Sequence, residues 1–205
     1  MEVLIVAKTH MKDTACVGAF ELATKKNIRL LTQDGKNQPK EVNFNIGDIW
    51  EIEYTPRQAI TAPHYEDVLV SSHKYIRKQE KLNTFLLNNA PLWRGGTDVL
   101  FDGLLKFDHN SSGYITNKGG VPKQSVGFWL PDKDIELTIF QDKRHYFYFV
   151  ESGVNSIPYV GYQKPIETIR QGTIIRISLA RWWKVPIASV TELRCYCQLS
   201  GWYVD

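Results

Sequence analysis

Cysteine is scarce in this chain and badly placed for a staple. There are three, Cys16, Cys195 and Cys197, and two of them stand only two apart. An odd count at that spacing is no disulfide framework. It is no zinc centre either, because zinc takes four ligands and neither a second C-x-C nor a histidine pair supplies the rest. On a strand, Cys195 and Cys197 share one face with Tyr196 opposite, so the motif reads as two small buried residues. No metal and no cofactor is expected. Charge of one sign is also missing. A net charge of +3 is too small to announce a polyanion as partner, although a local basic strip is compatible with it. No apolar run approaches membrane-spanning length, and the short apolar opening V-L-I-V-A follows no basic leader. Neither a membrane partner nor a signal peptide is expected, and a reducing cytoplasm is the default location. What is present, 43% hydrophobic and 23% charged residues, is the balance of a soluble globular chain and excludes disorder as the main state. At 205 residues the chain holds one large domain or two small ones.

Aromatic residues are plentiful and lie in short alternating runs, which favours strands. Residues 3–10, 16–23, 27–32, 44–54 and 67–76 read as five strands, with Gly18 as a bulge or sharp-twist position. Within the fourth, Trp50, Ile52 and Tyr54 face one way and Glu51 and Glu53 the other, the pattern of a half-buried antiparallel strand. The period then changes: Leu82, Phe85, Leu86 and Asn89 recur at helical spacing over residues 80–89, and Pro91 lies just beyond. Residues 92–122 are rich in glycine and turn residues yet apolar at 99–105, so they read as an ordered connector. Strands return at 125–130, 135–141, 145–151, 159–163, 172–186 and 193–203. The expected plan is all-β with a short helical connector. It has a first OB-like barrel over 1–78, a connector with one helix over 79–123, and a second OB-like barrel over 124–205.

The stretch 172–186, G-T-I-I-R-I-S-L-A-R-W-W-K-V-P, stands out. It begins aliphatic on both faces and ends in arginine and tryptophan, which combine phosphate attraction with a flat stacking surface. G-T-I-I-R-I-S-L also echoes G-D-I-W-E-I-E-Y at 47–54, as G-x-I-Φ-x-I-x-Φ with Φ a large apolar residue. The echo is a shared strand grammar and no tandem array. Its first copy carries Glu51 and Glu53 where the second carries Arg176 and Ser178, so an anion would meet the second half. Candidate binding residues are Arg176, Arg181, Trp182 and Lys184, then Lys143, Arg144, Tyr146 and Tyr148, with Trp93 and Arg94 at the connector. The bland alternative is that the tryptophans and tyrosines are core and the cations flank it.

Several motifs together, V-L-I-V-A-K-T-H-M, A-C-V-G-A-F-E-L, R-L-L-T-Q-D-G-K-N-Q, G-D-I-W-E-I, W-R-G-G, S-G-Y-I, R-I-S-L-A-R-W-W and Q-L-S-G-W-Y, resemble the bacterial dual-OB-domain family across nearly the whole chain. That resemblance implies two OB-like barrels, a nucleic-acid-binding role and an association with bacterial defence or conflict genes. It carries over no catalytic residues. The leading expectation is a non-catalytic module binding single-stranded nucleic acid. A protein–protein adaptor is the alternative, and it explains the near-neutral charge better, since exposed tryptophan, tyrosine and arginine also mark interface hot spots. A second alternative, a metal-dependent phosphodiesterase, would use Asp98, Asp102 and Asp108 with His109 beside the last.

Overall fold

Alternating side chains turn the first 78 residues into one curled sheet. In the computed structural model, which describes residues 1–140, 142–187 and 189–205, its strands are β1 (Glu2–Met11), β2 (Thr14–Glu21), β3 (Asn27–Leu31), β4 (Gln38–Pro39), β5 (Asp48–Pro56) and β6 (Asp67–Lys78). They are hydrogen bonded in the order β1-β5-β6-β3-β2-β4, and β1 also pairs with β2. Strands β1, β2, β3, β6 and β5 therefore close a five-stranded barrel, in which only β3 and β6 run parallel. Closure leaves these strands no free edge. Val3, Ile5, Val17, Leu30, Trp50 and Ile52 fill it.

After β6 the chain makes α1 (Leu82–Asn89), β7 (Leu92–Gly95), a 3-10 turn (Thr97–Val99), β8 (Lys106–Phe107) and β9 (Gly113–Thr116). Then come β10 (Val126–Pro131), β11 (Ile135–Phe140), β12 (Lys143–Val150), β13 (Gly153–Pro158), β14 (Thr168–Ile169), β15 (Ile174–Leu179), β16 (Trp183–Lys184) and β17 (Leu193–Tyr203). One sheet runs β7-β10-β15-β17-β9-β8, with β16 paired to β17, and a second runs β13-β12-β11-β14. The two curl around a core containing Trp129, Tyr146, Ile177 and Trp202. Among the described residues no helix is long and apolar enough to cross a membrane.

Three sequence expectations need amendment. The stretch read as connector supplies β7, β8 and β9 to the second sheet, because backbone pairing there needs no apolar alternation that a glycine-rich sequence would reveal. The strand expected at 159–163 consists of isolated bridges at Tyr159 and Gly161, and the true strand is β13, whose G-V-N-S-I-P reads as turn chemistry. The strand within 172–186 stops at Leu179. The expected last residue of β11, Gln141, lies outside the described residues.

The two units share a third core. β1 sends Val3 and Ile5 into its own barrel but Leu4 and Val6 outward, where they meet Phe128, Ile174 and Tyr203 of the second unit and Leu86 of α1. The Tyr203 hydroxyl donates to the Val6 carbonyl at 2.6 Å across this seam. The echo between the units is thereby explained. Gly47 (φ 95°) and Gly172 (φ 85°) are left-handed turns leading into β5 and β15. Two residues on, Ile49 and Ile174 enter the shared core, while Trp50 with Ile52 and Ile175 with Ile177 enter their own barrels. The position between differs: Glu51 is exposed and Arg176 is buried.

Candidate functional site

β11, β12 and β13 form an antiparallel meander whose faces follow from register. Opposed residues share a face, so Phe140 with Lys143, Thr138 with His145, and Glu136 with Phe147 all point away from the core. The inward set includes Tyr146 and Tyr148. Tyr146 packs on Trp202 and its hydroxyl donates to the Ile166 carbonyl at 2.9 Å; Tyr148 packs on Trp129 and donates to Asp132 at 2.6 Å. These two tyrosines, candidates for stacking with core as the alternative, are core. Their strand neighbours His145, Phe147 and Phe149 occupy the opposite face.

The outer face, with the 109–112 loop folded beside it, lines an open groove of about 660 Å³. Phe140 and Phe147 supply flat apolar surface, Lys143 a cation, His109 and His145 imidazoles, and Ser156 a hydroxyl. Phe140 is 64% exposed. The His145 ring nitrogen Nδ1 lies 2.9 Å from Ser156 Oγ, and burial with the nearby Lys143 charge holds this histidine below its ordinary value, so it is neutral near pH 7. Arg144, exposed next to Lys143, lines the adjoining hollow of about 470 Å³ with Tyr159 and Val160. Such a surface offers stacking and phosphate contact side by side.

The Arg-Trp-Trp-Lys stretch divides differently from its expected alternation. Trp182 leans on the second core and its indole N–H donates to the Ala62 carbonyl at 2.6 Å, whereas Trp183 is 49% exposed and tilts against Tyr196. Lys184 is exposed beside it. Trp93 is half-buried against Phe101 and Gly127, while Arg94 is exposed. Arg176 is the largest correction. It is only 3% exposed, and its guanidinium lies over Gly18, where a Cβ would come within 2.6 Å of Nη2. It cannot touch a strand lying on the surface.

Arg181 belongs to a cluster that sequence reasoning missed. Asp67 Oδ2 accepts hydrogen bonds from Arg29 at 2.6 Å, Arg181 at 2.8 Å and, more loosely, Arg57 at 3.4 Å. Arg29 meets Asp67 across the parallel pair of β3 and β6 and Arg57 lies ten positions before it, while Arg181 arrives from the second unit. Nothing in the local sequence marks them. The groove's Phe147 was missed for another reason: K-R-H-Y-F-Y-F-V is apolar on both parities, so alternation does not say which face is buried.

Two of the three aspartates proposed for metal chemistry hold loops. Asp108 Oδ1 accepts the N–H groups of Asn110 and Ser112, and Asp102 accepts that of Lys123. These are loop-building contacts. Among the described residues no group of three or more metal-ligating side chains is assembled.

A closed five-stranded barrel followed by a curled half-barrel, sharing one seam, defines a tandem OB-like barrel protein. The chain belongs to the dual OB-containing domain family, whose model matches residues 1–202. No curated protein matches it. Among solved structures it is similar to a murine DNA-binding protein bound with double-stranded DNA, at 11% identity and TM-score 0.31 over 100% of this chain and 96% of that one. The Ifi202 HINa domain in complex with 20-bp double-stranded DNA aligns at 9% identity and TM-score 0.28, over 100% and 94%. Tetrameric p202 HIN2 aligns at 11% identity and TM-score 0.28, over 100% and 90%. Likeness this distant carries no argument about what the present chain binds.

Proposed function

We propose that this protein is a non-catalytic binding module for single-stranded nucleic acid, held in the groove on the outer face of β11–β13. The observation that supports it is the pairing of Phe140 and Phe147 with Lys143 in one open groove, with Arg144 beside it. Bases stack on aromatic faces while cations follow the backbone, a division of labour that needs no large net charge. Fluorescence anisotropy with labelled single-stranded DNA and RNA tests this. Binding should weaken as salt rises, log K falling by about 0.7 per phosphate contact for each unit of log salt. The absence of binding at low salt and high micromolar protein would sink the proposal.

An adaptor role has one observation in its favour: Ile139, Phe140 and Phe149 are all exposed on the same meander. A protein partner seated there would bind with little salt dependence and would lose affinity on Ile139→Ala, which lies outside the groove lining. A place among bacterial defence genes, implied by the family resemblance, belongs to the same proposal. Under it, cells carrying the gene should resist phage, and the Phe140→Ala/Phe147→Ala variant should lose that resistance.

A further inference from the structure

A second cavity lies where the two units meet, far from the groove in sequence. It has a volume of about 250 Å³ and is lined by Arg29 and Asp67 from the first unit and by Arg181 from the second, with His64 and Glu66 beside them. A smaller hollow of about 40 Å³ shares Thr9, Cys16, Arg29, Val126 and Ser178 with it and is lined at its far side by Arg176.

Arg176 is the anomaly. It is buried, and its Nε has no partner among the described residues. An unpaired buried guanidinium is costly, so native interiors normally supply a carboxylate or carbonyls. The nearest candidate, Glu66, is committed elsewhere: its carboxylate accepts the Ser125 N–H and hydroxyl. Gly18, across the seam, leaves the space in which the guanidinium lies. Arg29 repeats the pattern, with one nitrogen on Asp67 and its Nε unpartnered. In the lining of the two hollows Arg29, Arg176 and Arg181 thus face two carboxylates, Asp67 and Glu66, while Arg57 reaches Asp67 from outside the lining, so positive charge is in excess.

We propose that the inter-barrel cavity and the smaller hollow that continues it form a binding site for a phosphate monoester, with Arg29 and Arg181 lining the first and Arg29 and Arg176 the second. A phosphate monoester carries close to two negative charges at neutral pH, the sign that the excess calls for, and its three terminal oxygens suit forked guanidinium donors. The cavity is too small for a stacked strand. It takes a phosphate with a small organic group, supplied by a free mononucleotide or by the phosphorylated end of a strand. The site is independent of the groove on β11–β13.

The test is thermal unfolding and calorimetric titration of the whole chain with inorganic phosphate, adenosine 5′-monophosphate and adenosine, at ionic strength matched with chloride. Phosphate and the monophosphate should bind and raise the melting temperature, and adenosine should not. Arg181→Ala, an exposed position, should fold normally and bind phosphate at least about tenfold more weakly, the loss expected for a charge-assisted bond. Arg176→Met should abolish the response while leaving the phosphate-free protein as stable as the parent or more so, because it removes an unpaired charge. Anisotropy with 5′-phosphorylated and 5′-hydroxyl oligonucleotides separates the two sources: a preference for the phosphorylated end that Arg181→Ala erases assigns a strand terminus, and its absence assigns the free mononucleotide. A parent protein with no response to phosphate or monophosphate beyond that of chloride overturns the proposal. So does an Arg181→Ala variant that responds as the parent does. Phe140→Ala/Phe147→Ala should leave the phosphate response unchanged, so failure of the groove and failure of this site are told apart.

Discussion

Arg176 and Gly18 form a pair that neither residue announces. A methyl group at Gly18 would sit 2.6 Å from Nη2 and force the buried guanidinium aside into the adjoining hollow, so Gly18→Ala should cost about 1–3 kcal/mol in urea unfolding, as overpacking does. Combining it with Arg176→Met should recover most of that loss; additive losses would mean that the contact is not the cause. His64 offers a second residue-scale test. Burial first, and the Arg29 charge second, push it down to about 4. Because the unfolded chain takes up that proton near 6.5 and the folded one resists it, stability should fall as pH drops from about 6.5 to about 4 and be unaffected above that window. Glu66 works the other way, since burial raises its carboxyl and a proton there favours the folded state. The readout is therefore the difference between parent and His64→Gln in urea midpoint from pH 7 to pH 4.5. Parallel curves would refute it.

At the scale of the element, β12 decides which aromatics can meet a ligand. If its parity is as described, Phe140→Ala and Phe147→Ala should each weaken single-strand binding by about fivefold to a hundredfold, the equivalent of one lost stack. Tyr146→Phe should leave binding intact and instead cost about 1 kcal/mol of stability through the lost hydrogen bond to Ile166. The reverse result would restore the tyrosines as the binding face. The existence of this strand was legible in the sequence; its orientation was not. Lys-Arg-His-Tyr-Phe-Tyr-Phe-Val places rings on both sides, and only Trp129 and Trp202, distant in sequence, claim the tyrosines for the core. Cys195 and Cys197 show the opposite case. Their shared face was readable from spacing, and both are fully buried, with burial pushing the Cys195 thiol up to about 12.

For the whole molecule, the seam between the barrels should make unfolding cooperative. Phe128 of the second unit packs edge-on against Phe20 of the first and against Tyr203 within a core that both units fill. Phe128→Ala should cost about 3–5 kcal/mol, and the parent should unfold in one calorimetric transition with equal van't Hoff and calorimetric enthalpies. Two separated transitions in the parent would show that the barrels are energetically independent. The sequence by itself determined the all-β class, a helix within 80–89, most strands and the common grammar of β5 and β15, because alternation and turn chemistry are local and act through neighbours along the chain. The tertiary structure alone decided that Arg176 is buried, that Asp67 gathers three arginines, that Trp183 and not Trp182 faces water, and that Phe147 and not Tyr146 lines a groove. The parity of β12 depends on the tryptophans of its own core. Arg176's burial, the Arg181–Asp67 pair and the anchoring of Trp182 on Ala62 depend instead on how one barrel packs on the other, and the last two contacts join residues 114 and 120 positions apart.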